Sequence, residues 1–149
     1  MRHRSRARGA LIVALAGAML AGASAPEGTV ELTVTGMRSA KGQVLVCLTR
    51  EADHFPDCSG STTARSAIVP ASRPQATFAN LPQGRYAISV LHDENANGRA
   101  DKTLGLIPRE GFGFSRDAPV RMGPPKFDQA AFAIDGGDVT QSIRMRYLM

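Results

Sequence analysis

The sequence predicts an all-β protein, an antiparallel β-sandwich of about seven strands. Three observations carry that prediction. Short apolar runs alternate with polar residues at period two, as in Val30, Leu32 and Val34 against Thr29, Glu31, Thr33 and Thr35. Glycine, proline and asparagine punctuate the chain at regular intervals. No stretch repeats its apolar residues at helical spacing over a useful length. Period two marks half-buried strands, and short strands at even spacing point to a sandwich.

The elements follow in order. The first 23 residues read as a secretory signal peptide. Arg2, Arg4, Arg6 and Arg8 precede an apolar run from Ala10 to Leu20, and small residues follow. That run falls short of the roughly 20 apolar residues of a membrane span. Cleavage after Ala23 or after Ala25 fits the small-x-small rule, and Ala23 keeps Pro26 clear of the cut. Residues 24–149 then form a single domain, large enough to bury about two thirds of its unfolded surface. The expected location is outside the cytoplasm, periplasmic or extracellular, with no stable membrane insertion once the signal is removed.

Within the domain, "TVELTVTG" is a half-buried strand, Lys41-Gly42 a turn, and "QVLVCLT" a strand apolar on both faces and therefore central. "READHFPDCSG" is a loop or a single helical turn. Arg65 to Val69 and Gln75 to Phe78 are shorter strands, and "GRYAISVLHD" is the strongest one, with Tyr86, Ile88 and Val90 on one face. Thr103 to Phe127, rich in proline and glycine, shows no sustained period and reads as a long loop; such loops are often functional. "AAFAID" and "VTQSIRMRYL" close the chain, with Ile143, Met145 and Tyr147 sharing a face.

Charge narrows the function classes. The chain has 18 basic and 13 acidic residues, but four arginines leave with the signal peptide, so the mature protein stands at 14 against 13. The high pI belongs to the export signal, and no basic stripe with interleaved aromatics argues for nucleic acid. Cys47 and Cys58 are the only cysteines. In an oxidising compartment they are expected to pair, closing a short loop worth roughly 2–3 kcal/mol.

The stretch "HDENANGRAD", His92 to Asp101, points most directly to a chemistry. Asp93, Asn95 and Asn97 offer oxygens at alternate positions, Gly98 allows the sharp turn, Arg99 offers its carbonyl and Asp101 a carboxylate. This is the ligand order of a calcium loop. It departs from an EF-hand at the twelfth place, which is Leu104, and it follows a strand, so calcium would bind only in the 10⁻⁴–10⁻³ M range. Glu110 or Asp117 could complete the shell. Glu94, between ligands, is expected to face solvent. The competing reading is a metal-free polar turn, with Asn97-Gly98 as the hairpin signal and Asx-turns at Asp93 and Asn95. His92 and His54 are too few for a zinc site, and His92 is expected to bond a loop carbonyl. Ser115 lies outside any nucleophile-elbow pattern. Phe112 and Phe114 read either as plugs of the sandwich end or as an aromatic surface for a glycan or peptide.

The run "TFANLPQGRYAISVLHDENANGRADKTLGLIPREGFGFS", followed by Gly123-Pro124-Pro125 and Phe127, resembles the core motif of a family of small exported bacterial proteins, the domain-of-unknown-function family numbered 2141. The resemblance covers nearly the whole mature chain. It implies an exported β-sandwich and carries no established activity; Cys47 and Cys58 lie outside the general pattern. A looser similarity of "F-x-NLP-x-G-x-Y" to prealbumin-like and carboxypeptidase-regulatory-like domains implies an immunoglobulin-like or prealbumin-like sandwich. There Phe78 and Leu81 plug the edge, Pro82 and Gly84 turn, and Tyr86 opens the next strand. The leading expectation is a non-enzymatic binding or accessory module of unknown ligand, for which an envelope glycan or protein is the candidate partner, with no certain cofactor and calcium considered at 93–101. The alternatives are an envelope hydrolase using His92 and loop carboxylates, and a purely structural envelope protein.

Overall fold

The computed structural model describes residues 22, 24–103 and 107–148. Apart from Gly22, the expected signal peptide lies outside the described residues, as does Leu104. The strands are β1 (Glu27–Thr35), β2 (Gln43–Thr49), β3 (Arg65–Pro70), β4 (Gln75–Pro82), β5 (Gly84–Asp93), β6 (Lys102–Thr103), β7 (Ile107–Pro108), β8 (Gly111–Phe114), β9 (Phe132–Ile134) and β10 (Val139–Arg144). One four-residue helix, α1 (Phe127–Ala130), and two 3-10 turns at Ala52–His54 and Ser115–Asp117 complete the described elements.

Two sheets face each other. The smaller has the order β10-β1-β4 and the larger β3-β2-β5-β8, with β9 pairing the start of β5. β2 is central, as its apolar character on both faces predicts. The core is the set of inward residues at period two: Val30, Leu32 and Val34 from β1, Val44, Val46 and Leu48 from β2, and Tyr86, Ile88 and Val90 from β5. Phe78 and Leu81 from β4, Ile134, Ile143 and Met145 fill the rest. Each such side chain contributes about 1.5–3 kcal/mol on burial. The "NLP-x-G-x-Y" step does what its chemistry suggests. β4 ends at Pro82 in one sheet, β5 starts at Gly84 in the other, and the Tyr86 hydroxyl donates to the Pro82 carbonyl at 2.8 Å.

The expected all-β sandwich contains one parallel pairing: β1 pairs with β10, Val30 opposite Val139 through Thr35 opposite Arg144. β10 reaches β1 only after the chain has crossed from the larger sheet, and it arrives running the same way. One expectation, the long loop, needs correction. Thr103 to Phe127 contains β8, which pairs antiparallel with β5, Leu91 opposite Phe112 and Val90 opposite Gly113. The strand hides in sequence because its inward positions are glycines. A Cβ on Gly113 would stand 2.6 Å from the Ile143 Cγ2, and one on Gly111 would stand 2.3 Å from the Tyr147 ring. Phe112 and Phe114 therefore point away from the main core. They lie on the outer face of the larger sheet, in a second cluster with Ala87, Ala118 and Ala130, packed by Phe55, Val120 and Phe127. The Phe55 ring meets Phe114 edge-on at 5.8 Å and Phe127 at 6.2 Å.

Cys47 also faces outward, and its disulfide to Cys58, with Cα atoms 5.6 Å apart, folds the 51–60 loop back over that face. The Ser89 hydroxyl donates to the Pro56 carbonyl at 2.5 Å and fixes the same loop.

Candidate functional site

Among the described residues, the buried charged or ionisable side chains His92, Asp93 and Glu110 lie where β5 ends. His92 keeps the inward phase of Tyr86, Ile88 and Val90 and is fully buried. Its Nε2 lies 2.8 Å from the Lys41 carbonyl, which can only accept, so Nε2 carries the proton. Its Nδ1 lies 2.7 Å from the Tyr147 hydroxyl. That hydroxyl accepts from the Arg38 backbone N–H at 3.1 Å and donates to the ring. The expected loop-carbonyl bond is thus present, and both ring nitrogens are engaged. Burial raises the Tyr147 phenol above its usual range.

Asp93 is likewise fully buried. Its carboxylate accepts from the Gln43 side-chain amide at 2.8 Å, the Gly98 N–H at 2.7 Å and the Asn97 N–H at 3.1 Å. Burial alone would raise its pKa, but these donors outweigh burial and hold it below the ordinary value. The turn Lys41-Gly42 must pass directly beneath: a Cβ on Gly42, at φ +71°, would stand 2.1 Å from the Asp93 carbonyl oxygen. Only glycine fits there.

Around this anchor the 93–101 loop closes on itself. Asn95 and Asn97 direct their side-chain amides to Asp101, at 2.6 Å and 3.0 Å. The Asn95 oxygen accepts from the Asn97 N–H, the Asx-turn expected of Asn95, and the Asn97 oxygen accepts from the Arg99 N–H in the same way; Asp93, expected to make such a turn, reaches instead to the Asn97 and Gly98 N–H groups. The hairpin expectation is corrected: Ala96 and Gly98 carry the positive φ, and the chain does not turn directly into the next strand at Asn97-Gly98. It continues through the β6–β7 pair and returns as β8.

Of the two acids that could complete the loop, the structure brings in one. Glu110 is buried, and its two oxygens accept from the Glu94 N–H at 3.2 Å and the Asp101 N–H at 3.1 Å. Burial pushes its pKa up, and the charges of Asp101 and Asp93 push the same way. Asp117 is elsewhere, accepting from the Arg144 N–H at 2.9 Å. Glu94 does not face open solvent as expected: Arg38 grips both its oxygens and Ser39 donates to it at 2.9 Å. The Arg38 guanidinium holds the Glu94 pKa down to about 2. Arg38 also donates to the Arg109 carbonyl at 3.0 Å and lies 4.5 Å over the Tyr147 ring. Arg38, Gln43 and Tyr147 are the site residues that sequence reasoning missed. They lie far from the loop in sequence, and no spacing signal links them to it.

As arranged, no group of three or more His, Cys, Asp or Glu side chains among the described residues stands placed to hold a metal ion. The loop nonetheless has spare oxygen capacity. A carboxylate offers about four lone-pair sites. Glu110 uses two of them on the two amides, and Asp93 three on its three donors. Ser115 is fully buried at a different level of β5. Its hydroxyl donates to the Ala130 carbonyl at 2.6 Å and accepts from the Ile88 N–H at 2.9 Å. It does not meet His92 or Glu110. Phe112 and Phe114 are buried, 9% and 7% exposed, in the cluster on the outer face of the larger sheet.

The model of a protein family described as an uncharacterized protein conserved in bacteria, DUF2141, matches residues 32–142. No curated protein and no solved structure matches the chain.

Proposed function

The chain belongs to the bacterial DUF2141 family, and from that premise we propose that it is an exported, non-enzymatic binding or accessory module whose 93–101 loop takes up calcium weakly. The observation that carries the reading is the placement of buried Glu110 against the loop, where its oxygens accept from the Glu94 and Asp101 N–H groups. Burial pushes the Glu110 pKa up, and the charges of Asp101 and Asp93 push the same way; a divalent cation beside it would oppose that shift. Glu110 supplies the carboxylate that the twelfth position lacks. Asn95 and Asn97 would turn their oxygens inward, and the Arg99 carbonyl would complete the set. Because amide hydrogens already occupy much of this oxygen surface, affinity is expected in the 10⁻⁴–10⁻³ M range of extracellular modules.

The non-enzymatic part rests on a different feature. His92 and Ser115, the residues a hydrolase would need as base and nucleophile, spend their polar atoms on the fold and sit at separate levels of β5. Export rests on the sequence of residues 1–23, and among the described residues no helix is long and apolar enough to cross a membrane. Titration calorimetry of the mature protein with calcium chloride tests the site. Saturable uptake that Glu110→Gln weakens at least tenfold supports it; heats of dilution alone remove it. N-terminal sequencing of exported protein tests the leader, with Ser24 or Pro26 expected first.

A further inference from the structure

The outer face of the larger sheet holds a groove that the loop chemistry does not use. Register fixes its floor. Ile68 on β3 pairs with Leu45 on β2, Leu45 with Leu91 on β5, and Leu91 with Phe112 on β8. These four side chains form a straight apolar row across four strands. Two residues along in one direction, Cys47 and Ser89 lie beneath the disulfide-pinned loop of Pro56 to Ser59, which makes one wall. Two residues along in the other, Gln43 and Asp93 hold the turn of Gly98 to Ala100, which makes the second. The space between is about 690 Å³, within the range of small-molecule sites. Ile68, at the edge of the sheet, is 67% exposed and opens the row to solvent.

We propose that this groove binds a single-chain amphiphile with an anionic head, of the fatty carboxylate class. It rests on the reading of the protein as a binding module and not on calcium. Three features select the occupant. The row runs across the strands, whose backbone groups in β2 and β5 are already paired on both sides, so the floor asks for no hydrogen bonds along its length. A peptide would leave its own amides unpaired there; an alkyl chain would not. Four strands span about 14 Å at about 4.8 Å per step. An extended alkyl chain advances roughly 1.25 Å per carbon–carbon bond of about 1.52 Å, so roughly eleven bonds fill the row. The walls then differ in charge. On one wall the Ser59 N–H at 2.9 Å and the Ser59 hydroxyl at 2.6 Å hold the Asp57 carboxylate ionised. The Arg99 guanidinium, on the opposite wall, bonds no other described residue. The Arg99 wall therefore offers a cation to an anionic headgroup, and the Asp57 wall repels one.

The test is titration of the mature, disulfide-intact protein with dodecanoate below its micellar concentration, beside dodecyl maltoside and dodecyltrimethylammonium. The result expected is saturable one-to-one binding of dodecanoate, weakened about tenfold by Ile68→Asp and by Arg99→Gln, with the cationic probe binding more weakly still. Both substitutions are at exposed positions, and unchanged melting temperatures confirm that the variants fold. Equal binding of the neutral and anionic chains overturns the choice of headgroup and leaves the module reading intact. No binding of any probe overturns the inference, and calcium titration then decides the proposed function independently. A dimer in sedimentation that Ile68→Asp dissolves would assign the row to a second copy of the chain and overturn it as well.

Discussion

Asp93→Ala is the sharpest perturbation of the loop. In the folded protein the Asp93 carboxylate satisfies three N–H donors: the Gln43 amide and the backbone of Asn97 and Gly98. Alanine removes the acceptor and leaves all three behind, next to a residue with no solvent exposure. Bonds to a charged group are worth about 1.5–3 kcal/mol each, but the Asn97 and Gly98 amides lie near the exposed rim and water recovers part of the loss. The net cost is then roughly 3–4 kcal/mol. For a domain near this size, each kcal/mol lowers Tm by about 3–5 °C, so the variant should melt roughly 10–20 °C lower. Urea denaturation followed by circular dichroism gives the free energy directly, and calorimetry the Tm. Asp93→Asn, which keeps one acceptor oxygen, should lose about half as much. A loss below about 1 kcal/mol for Asp93→Ala would show that the loop does not hang on this carboxylate, and the account of its closure would fail.

Two further outcomes are expected. Glu94 has its pKa held near 2 by Arg38, below an unfolded value of about 4.3. Its contribution is therefore complete above the unfolded value and lost as pH falls toward 2; Glu94→Gln should flatten the decline of the urea midpoint across that window, and an unchanged acid limb would contradict the ion pair. Gly113→Ala places a Cβ 2.6 Å from Ile143 and 3.0 Å from the Arg144 carbonyl. Overpacking of this kind costs about 1–3 kcal/mol, read as a lower urea midpoint, and a neutral effect would mean that β8 does not press on β10 as described.

What the sequence revealed and what it hid follow from the range of the interactions. β1 and β5 were legible because each carries its own alternation, and β2 because it is apolar on both faces; neither signal needs knowledge of a partner. β8 was not, because its inward positions are glycines emptied to admit Ile143 and Tyr147, residues some 30 positions later. The same holds at the site. "HDENANG" marks itself by local spacing, and the Lys41 carbonyl on His92 is of the kind a strand-ending histidine takes. The grip of Arg38 on Glu94, the Gln43 amide on Asp93 and the Tyr147 hydroxyl on His92 are contacts between residues about 50 or more positions apart. Only pairing of the strands brings them together. Glu110 stood between: its candidacy came from chemistry, and its choice over Asp117 came from the β5–β8 register, which sets Gly111 opposite His92.

The measurement that bears most directly on the account is the melting temperature of residues 24–149 in calcium against EDTA, with Asp93→Ala alongside. A site with Kd near 1 mM, filled at about 5 mM calcium, stabilises by about 1 kcal/mol, or roughly 3–5 °C. The account predicts a rise of that size in the wild type and none in Asp93→Ala. No difference between calcium and EDTA in the wild type would contradict it and leave 93–101 as a turn closed by its own hydrogen bonds.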